Sequence, residues 1–355
     1  MRKLICALLT IITLLAGIAC AEEKTIPYQK DISIPKLVNT VNNPVIEGES
    51  PLTGLPGSGE VYTPIMLPMD NSPEAYPLWG ISEASMLFQI PLKDNGATRL
   101  LALFGDTYPE QAGGVRSGRM TMLPLARAFH AAFAYAGVPP IETGPVSVEE
   151  WLTEWSFRKP TRHYNLLGVH YKERIKSIKT PHNLSAHVNE IHAHLSERKV
   201  DFDVRSFLFT DEPLDRGDKA TVVSVQYYNH KNHSSISANS SSTFAWEPET
   251  GYIRSSKSGD MTDRNTGKTV SFANVIIMRV PVEWESGYPY YQNQMRGSGQ
   301  ADIFQSGRYI QGAWVHESQT DRIVFLDETG KELTFQRGKT FVAVGEDMNI
   351  SYSDE

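Results

Sequence analysis

The chain has 355 residues, of which 40% are hydrophobic and 21% are charged. These fractions are those of a soluble globular protein and exclude a largely disordered chain. The formal net charge of −7, with no basic stripe along the sequence, argues against nucleic acid as a partner.

The N-terminus has the pattern of a secretory signal. A basic start at Arg2 and Lys3 precedes the uncharged apolar run 4–18, which is too short for a membrane span of about 20 residues. The Gly-Ile-Ala-Cys sequence that ends at Cys20 resembles a lipobox. It predicts a signal over 1–20, lipidation of Cys20 and an extracytoplasmic protein anchored to the membrane. The alternative is simple cleavage after Ala21, which would release a soluble protein.

A tether is predicted to precede two folded domains. Residues 21–50 are polar and lack a sustained period, which predicts a flexible segment whose ends lie on the order of 30 Å apart. A domain of alternating strands and helices is predicted over 51–203. Its predicted strands are 65–69, 85–90, 98–104 and 131–137, and its predicted helices are 117–130, a segment from Ser147, and 185–199 with the apolar face Leu184, Val188, Ile191 and Leu195.

The pattern changes after residue 203 to short β-rich runs separated by turn sequences such as Pro-Glu-Thr-Gly and Glu-Thr-Gly-Lys. This predicts a second, mostly antiparallel β domain over 204–355. Residues 229–242 have low complexity and are predicted to form an exposed loop. The predicted fold class is therefore α+β, with an N-terminal α/β sandwich-like domain followed by a mostly antiparallel β domain.

Several motifs occur in a family-like order along the mature chain. They are PLTGLP from Pro51, MDNSPEAYP from Met69, TRLLALF and GGVRSGR between Thr98 and Arg119, KTPHNL from Lys179, and PETGYIRS, GSGQADIF and GRYIQGAWVHES in the C-terminal half. In these motifs the chain resembles the YerB-like family of bacterial lipoproteins, which has no established function. The resemblance implies a bacterial lipoprotein with two family domains and supplies no activity.

The same resemblance implies that this chain departs from its relatives at three positions. An Asp and a Glu that are common in the family are replaced by Ser85 and Gln89, and a common His is replaced by Tyr135. Any chemistry that those groups performed in relatives would be absent here.

Two arginines at the start of the helix predicted over 117–130 indicate an anion site. Arg116 and Arg119 follow a pair of glycines, and a glycine-rich loop at a helix N-terminus suits a phosphate, a sulfate or a carboxylate. Arg99, at the head of the preceding strand, would join them. The alternative is that these arginines pair with acids such as Asp70 or Asp106 and hold the loop.

Two further motifs contribute polar candidates. Asp70 and Asn71 follow a strand end, where Asp70 would act as a general base, a metal ligand or an arginine partner, or would only form an Asx-turn. His182 and Asn183 follow Pro181 in a turn, where His182 would be an acid/base group or would only form a hydrogen bond within the turn. The predicted ligand-binding residues are Arg99, Arg116, Arg119, Asn71, Asn183, Asp70 and His182.

Metal and cofactor motifs are not evident. His187, Glu190 and His194 share one face of a predicted helix, but without a supporting Cys or HExxH pattern we interpret this face as solvated and predict no metal. Dinucleotide, Walker and nucleophile-elbow motifs are missing from the sequence, so no cofactor is predicted.

Three functions remain compatible with these patterns. The first is a non-catalytic lipoprotein that binds a cell-wall polymer, another anionic envelope component or an envelope protein at the arginine loop. The second is an envelope hydrolase or transferase acting on a phosphoester or glycan, with Asp70 or His182 moving the proton. The third is a protein scaffold without a ligand. We expect the first.

Overall fold

The computed structural model describes residues 22–30, 32, 43–92, 96–139, 148–154, 162–229, 232, 234, 239–281, 295–318, 320–346 and 348–355. The predicted signal, the predicted lipidation site Cys20 and part of the predicted loop 229–242 lie outside these residues.

The described residues form strands and a few short helices. The strands are β1 (Lys24–Ile26), β2 (Ile65–Met69), β3 (Met86–Pro91), β4 (Thr98–Phe104), β5 (Ala112–Gly113), β6 (Ala132–Tyr135), β7 (His163–Asn165), β8 (Lys172–Arg174), β9 (Leu184–Ala186), β10 (Leu208–Thr210), β11 (Asp218–Lys219), β12 (Val222–Tyr227), β13 (Ser242–Glu247), β14 (Gly251–Ser256), β15 (Gly259–Asp260), β16 (Ser271–Phe272), β17 (Asn274–Arg279), β18 (Gly297–Gln305), β19 (Arg308–His316), β20 (Val324–Leu326), β21 (Thr334–Gln336), β22 (Thr340–Gly345) and β23 (Met348–Ser353). The α-helices are α1 (Leu123–Ala128), α2 (Val148–Glu154) and α3 (Val188–Glu197), and short 3-10 helices cover Pro73–Ala75, Ile81–Glu83 and Met120–Met122.

An 11-stranded mixed sheet forms the centre of the molecule. Its order is β11-β19-β18-β17-β22-β3-β4-β2-β6-β7, with β20 beside β19. Strand β22 pairs in parallel with β3, from Thr340 opposite Met86 to Ala343 opposite Gln89, so one sheet contains strands from both sides of the predicted division at 203/204. Strands β2, β4 and β22 are buried along their whole length. Burial on both faces explains their continuous apolar runs.

A seven-stranded sheet packs on one face of the central sheet. Its order is β1-β23-β12-β13-β14-β15, with β16 beside β14. In β12 buried and half-buried residues alternate, which is the pattern of a sheet with one covered face. The inner face contributes Phe244, whose ring meets Phe341 of the central sheet edge-on at 4.9 Å between centroids.

The first strand corrects the predicted tether over 21–50. Residues Lys24–Ile26 form β1, which pairs with β23, and Ile26 is only 6% exposed. The backbone hydrogen bonds and the buried isoleucine hold this part of the predicted tether to the body of the protein.

Two predicted helices are shorter than expected. In place of a helix over 117–130, α1 begins at Leu123, because Pro124 occupies the first turn, where its missing N–H costs nothing. Leu184 was expected on a helix face but lies in β9, which pairs with β5 and β8. The helix α3 begins four residues later, and its buried residues include Val188, Ile191 and Leu195.

The α+β class and the β-rich C-terminal region are confirmed, with more strand and less helix in the N-terminal part than the sequence predicted. The runs Ile65–Met69 and Thr98–Phe104 are strands over the whole predicted range. Within the described ranges, every helix is too short or too polar to cross a membrane.

Candidate functional site

Backbone hydrogen bonds bring two distant motifs together at the end of β2. The Asp70 N–H donates to the carbonyl of Gly114 at 2.9 Å, and the Arg116 N–H donates to the carbonyl of Pro68 at 2.9 Å. The loop that contains Arg116 therefore runs beside the last residues of β2. This pairing places Asp70 and Arg116 next to each other although they are far apart in sequence.

The carboxylate of Asp70 is the centre of the resulting cluster. Its Oδ1 lies 3.4 Å from Arg99 NH1, and its Oδ2 lies 3.4 Å from Arg116 Nε and 2.8 Å from His182 Nδ1. The backbone N–H and the hydroxyl of Ser72 both donate to Oδ1 at 3.0 Å. Asp70 thus forms the expected Asx-turn and is also the expected arginine partner.

Two guanidinium groups contact one carboxylate in the described part of this cluster. The side chains of Asp70 and Arg99 are buried, whereas that of Arg116 is 24% exposed. Burial by itself would raise the pKa of Asp70, but the charges of Arg99 and Arg116 more than offset this effect, so the pKa lies below its ordinary value of 3.8. The Asp70 carboxylate is therefore ionised at neutral pH, opposite the two guanidinium groups.

His182 is held by its own turn and by the loop opposite. Its backbone N–H donates to the carbonyl of Lys179 at 3.0 Å, and Arg116 NH1 donates to the carbonyl of Pro181 at 3.4 Å. The contact of Nδ1 with Asp70 orients the ring. Within the described residues Nε2 has no hydrogen-bond partner, so it is available to accept a proton or to bind a ligand.

The two glycines before Arg116 have a different role from the predicted one. A Cβ on Gly113 would lie 2.5 Å from the carbonyl oxygen of Leu184, and one on Gly114 would collide with the carbonyl of His182. The space beside these two glycines is therefore occupied by neighbouring backbone and not by a ligand. The predicted helix N-terminus at Arg116 is also wrong, because α1 begins at Leu123.

The structure brings together four of the seven predicted site residues: Asp70, Arg99, Arg116 and His182. Arg119 has extended backbone, and its NH1 donates to the carbonyl of Gly118 at 2.9 Å, outside this cluster. Asn183 accepts a hydrogen bond from Arg174 at 2.9 Å and stabilises the turn.

Asn71, the seventh predicted residue, belongs to a neighbouring buried network. Its Nδ2 donates to the carbonyl of Asn239 at 3.0 Å, and its Oδ1 accepts a hydrogen bond from the Tyr76 hydroxyl at 2.7 Å. Arg254 NH1 donates to the same hydroxyl at 3.3 Å. Asn71 therefore links the turn after β2 to the C-terminal half of the chain.

Arg254 is a buried cation that the sequence analysis missed. It is 0% exposed, and its NH2 donates to Gln89 Oε1 at 3.2 Å and to the carbonyl of Asn239 at 2.7 Å. Its Nε has no hydrogen-bond partner in the described part of the chain. A sequence signal existed, because Arg254 occupies the same face of β14 as the buried Tyr252, and an arginine on an apolar face is unusual.

The other positions that depart from the family pattern are engaged locally. The hydroxyl of Ser85 donates to Asp106 at 3.1 Å, and that of Ser50 also donates to Asp106. Asp106 is thus bound by hydroxyl groups, which corrects its expected pairing with the loop arginines. Burial raises its pKa. The Tyr135 hydroxyl lies 2.6 Å from His163 Nε2.

The histidines of α3 and of its N-cap, His187, make contacts within the protein. His187 Nδ1 lies 3.1 Å from Glu190 Oε1, and the ring of His192 stacks on Tyr108 at 3.8 Å between centroids. Across the described ranges, no three His, Cys, Asp or Glu side chains are arranged to hold a metal ion.

Two features define the class of protein. Two packed sheets combine strands from both halves of the chain, and a cluster of Asp, Arg and His side chains lies on the N-terminal half. Residues 52–201 match the model described as "Protein of unknown function (DUF3048) N-terminal domain", and residues 232–342 match that of the DUF3048 C-terminal domain. The chain belongs to the DUF3048 family.

One relative is similar in both sequence and structure. The chain is 25% identical over 312 residues to "Putative lipoprotein YerB" of Bacillus subtilis (strain 168), covering 85% of this chain and 88% of the relative. The crystal structure of the YerB protein from Bacillus subtilis matches with a TM-score of 0.69 at 24% identity, covering 85% of this chain and 99% of that chain. The structural match supports the fold described above.

Proposed function

We propose that this protein is an extracytoplasmic lipoprotein that binds an anionic group of an envelope component at the Asp70 cluster, without changing it chemically. The name of the relative, "Putative lipoprotein YerB", supports the envelope location. The observation that carries the binding proposal is the geometry of the cluster: Arg99 and Arg116 both contact the carboxylate of Asp70, and the side chain of Arg116 is partly exposed.

Arg116 is the residue best placed to meet a ligand. Its Nε contacts Asp70, its NH1 makes a long contact with the carbonyl of Pro181, and its NH2 has no partner among the residues that the structure describes. A guanidinium with free donors on its outer edge binds oxyanions such as phosphate, sulfate and carboxylate in fixed geometry. Nε2 of His182, which has no partner among the described residues, lies on the same cluster and offers a second contact to the ligand.

The test is a thermal-shift titration of the mature chain with inorganic phosphate and with a sugar phosphate at constant ionic strength. A ligand that binds only the native state raises the melting temperature saturably. We expect this rise in the wild type and its loss in Arg116→Gln. The matched control is Arg337→Gln, because Arg337 is also paired with a carboxylate, that of Glu49, and its side chain is 23% exposed.

A further variant separates binding from a purely structural role. Asp70→Asn removes the competing carboxylate and leaves both arginines, so we expect a lower melting temperature without ligand and a larger rise with phosphate. If phosphate shifts neither the wild type nor Asp70→Asn, the arginines only hold the loop and the protein-scaffold function is favoured.

A hydrolase or transferase remains the second candidate because one contact favours it. Asp70 Oδ2 accepts from His182 Nδ1 at 2.8 Å, which fixes the ring as an acid or base with Nε2 directed away from Asp70. This function predicts turnover of p-nitrophenyl phosphate or a methylumbelliferyl glycoside that His182→Ala abolishes. The binding function predicts no turnover by either protein.

The lipid anchor on Cys20 has a structural consequence. Only three residues separate Cys20 from Lys24 at the start of β1, and four extended residues reach at most about 14 Å. The seven-stranded sheet would therefore lie close to the membrane surface. We expect the native protein to enter the detergent phase in a Triton X-114 partition and Cys20→Ser to remain in the aqueous phase. Equal partition of both proteins would favour cleavage after Ala21.

A further inference from the structure

A row of hydroxyl groups crosses the seven-stranded sheet. Five neighbouring strands each place a serine or threonine at the same register position. In spatial order these residues are Thr25 of β1, Ser351 of β23, Ser224 of β12, Thr243 of β13 and Ser255 of β14. Directly paired residues of neighbouring strands share one face, and strands lie about 4.8 Å apart, so the row is about 19 Å long.

This row lies on the outer face of the sheet, where Ser351 is buried and the other four residues are at least partly exposed. Along β12, Val223 and Val225 are buried on the inner face, whereas Ser224 between them is half-buried. Thr243 is exposed between the buried residues Ser242 and Phe244. Within the described residues, the hydroxyl groups of Ser224 and Thr243 make no hydrogen bond, so packing of the sheet does not explain them.

A shallow groove of about 380 Å³ follows the middle of the row. It has the volume of a small-ligand site. Besides the hydroxyl residues, the amide side chains Gln226 and Asn349 line it, and these two residues are paired across β12 and β23.

The charges around the row disfavour an anionic ligand. Glu23 accepts a hydrogen bond from Ser351 at 2.5 Å at one end, and Asp260 accepts one from Ser255 at the other. The residues that the structure places along the groove include no lysine and no arginine. Hydroxyl and amide groups both donate and accept hydrogen bonds, so the matching ligand is uncharged and has many hydroxyl or amide groups.

We propose that this hydroxyl row binds a neutral glycan chain that lies across the strands. A linear glycan presents donors and acceptors at regular intervals along its length, as the row does. The row shares no residue with the Asp70 cluster, so this inference does not depend on the anion-binding function. The two surfaces would then recognise uncharged and anionic parts of envelope material.

The test is calorimetric titration of the mature chain with tetra-N-acetylchitotetraose and with cellotetraose. The variant Ser224→Ala/Thr243→Val removes two hydroxyl groups from the centre of the row and keeps the strand-forming character of β13. The loss of two hydrogen bonds should weaken binding about tenfold or more. The matched control is Ala245→Val, which changes the same face of the same strand outside the row and should bind like the wild type.

Arg116→Gln serves as a second control and should also bind like the wild type. Saturable binding that only the hydroxyl variant loses would support the glycan site, whatever the result at the Asp70 cluster. The inference is overturned if neither oligosaccharide binds at millimolar concentration, or if the hydroxyl variant, with an unchanged melting temperature, binds as well as the wild type.

Discussion

Two arginines of the C-terminal half are completely buried, and their charged groups have different kinds of hydrogen-bond partner. Arg279 Nε donates to the carboxylate of Asp302 at 2.9 Å, and both side chains are 0% exposed. Arg254 is equally buried, but its partners within the described ranges are uncharged oxygens, those of Gln89, Tyr76 and Asn239. One region therefore contains a closed ion pair, and the other contains a cation that has no carboxylate partner among the residues that the structure describes.

This difference distinguishes an arginine with a structural role, Arg279, from one that lies next to the candidate site, Arg254. The remaining donors of Arg279 bond the carbonyls of Met348 and Ile26, so this arginine fastens β1 and β23 to the central sheet. Arg254 instead reaches Asn71 through the Tyr76 hydroxyl, one residue from Asp70. We expect a buried cation in that position to add positive potential to the candidate anion site.

The largest effect should follow from Arg279→Met. The substitution leaves the carboxylate of Asp302 buried without its partner, which costs about 3–5 kcal/mol of unfolding free energy. Urea unfolding at neutral pH measures this loss. The matched control is Asp354→Asn, which breaks an exposed pair with Lys219 and should change little. An equal loss in both variants would contradict the assignment of a closed, buried ion pair.

A smaller effect is expected from Arg254→Met. This substitution leaves uncharged acceptors without donors but strands no charge, so the loss should be about 1–3 kcal/mol. The loss of unfolding free energy in Arg254→Met should be the same in acid, whereas the loss in Arg279→Met should diminish as Asp302 becomes protonated. Phosphate affinity should fall as well. Unchanged affinity in a folded Arg254→Met protein would remove this residue from the site.

The smallest expected effect is on the pH dependence of the unfolding free energy when a single carboxylate, Asp70 or Asp106, is replaced. The pKa of Asp70 is lowered in the folded protein, so its contribution to stability is complete above the ordinary value of 3.8 and is lost as the pH falls through the lower, folded value. The pKa of Asp106 is raised by burial, so its contribution is complete below 3.8 and is lost as the pH rises through the higher value.

Unfolding free energies measured between neutral and acid pH check this contrast. Relative to the wild type, Asp70→Asn should reduce the stability lost on acidification, and Asp106→Asn should reduce the stability lost on raising the pH. If both substitutions changed the pH dependence of the unfolding free energy in the same direction, the two carboxylates would not differ in environment as the structure indicates.

Local pattern determined much of this fold. The runs Ile65–Met69 and Thr98–Phe104 are strands, because a continuous apolar run of this length between turn sequences matches a strand that is buried on both faces. The helix over 117–130 was overestimated because Pro124 is compatible with a first turn as well as with an interior kink. The family resemblance also followed from the order of motifs in the sequence and is confirmed.

Tertiary structure decided which polar groups meet. Asp70, Arg116 and His182 were recognisable one by one, but only the pairing of the loop before Arg116 with β2 and β9 joins them. Arg119 has a similar local sequence and lies outside the cluster. Side-chain alternation sets which face a residue occupies, whereas strand register sets its neighbours, and register between distant strands is fixed by the packing of the whole sheet. The sequence by itself therefore determined the long buried strands and most of the candidate residues, and the fold determined the site.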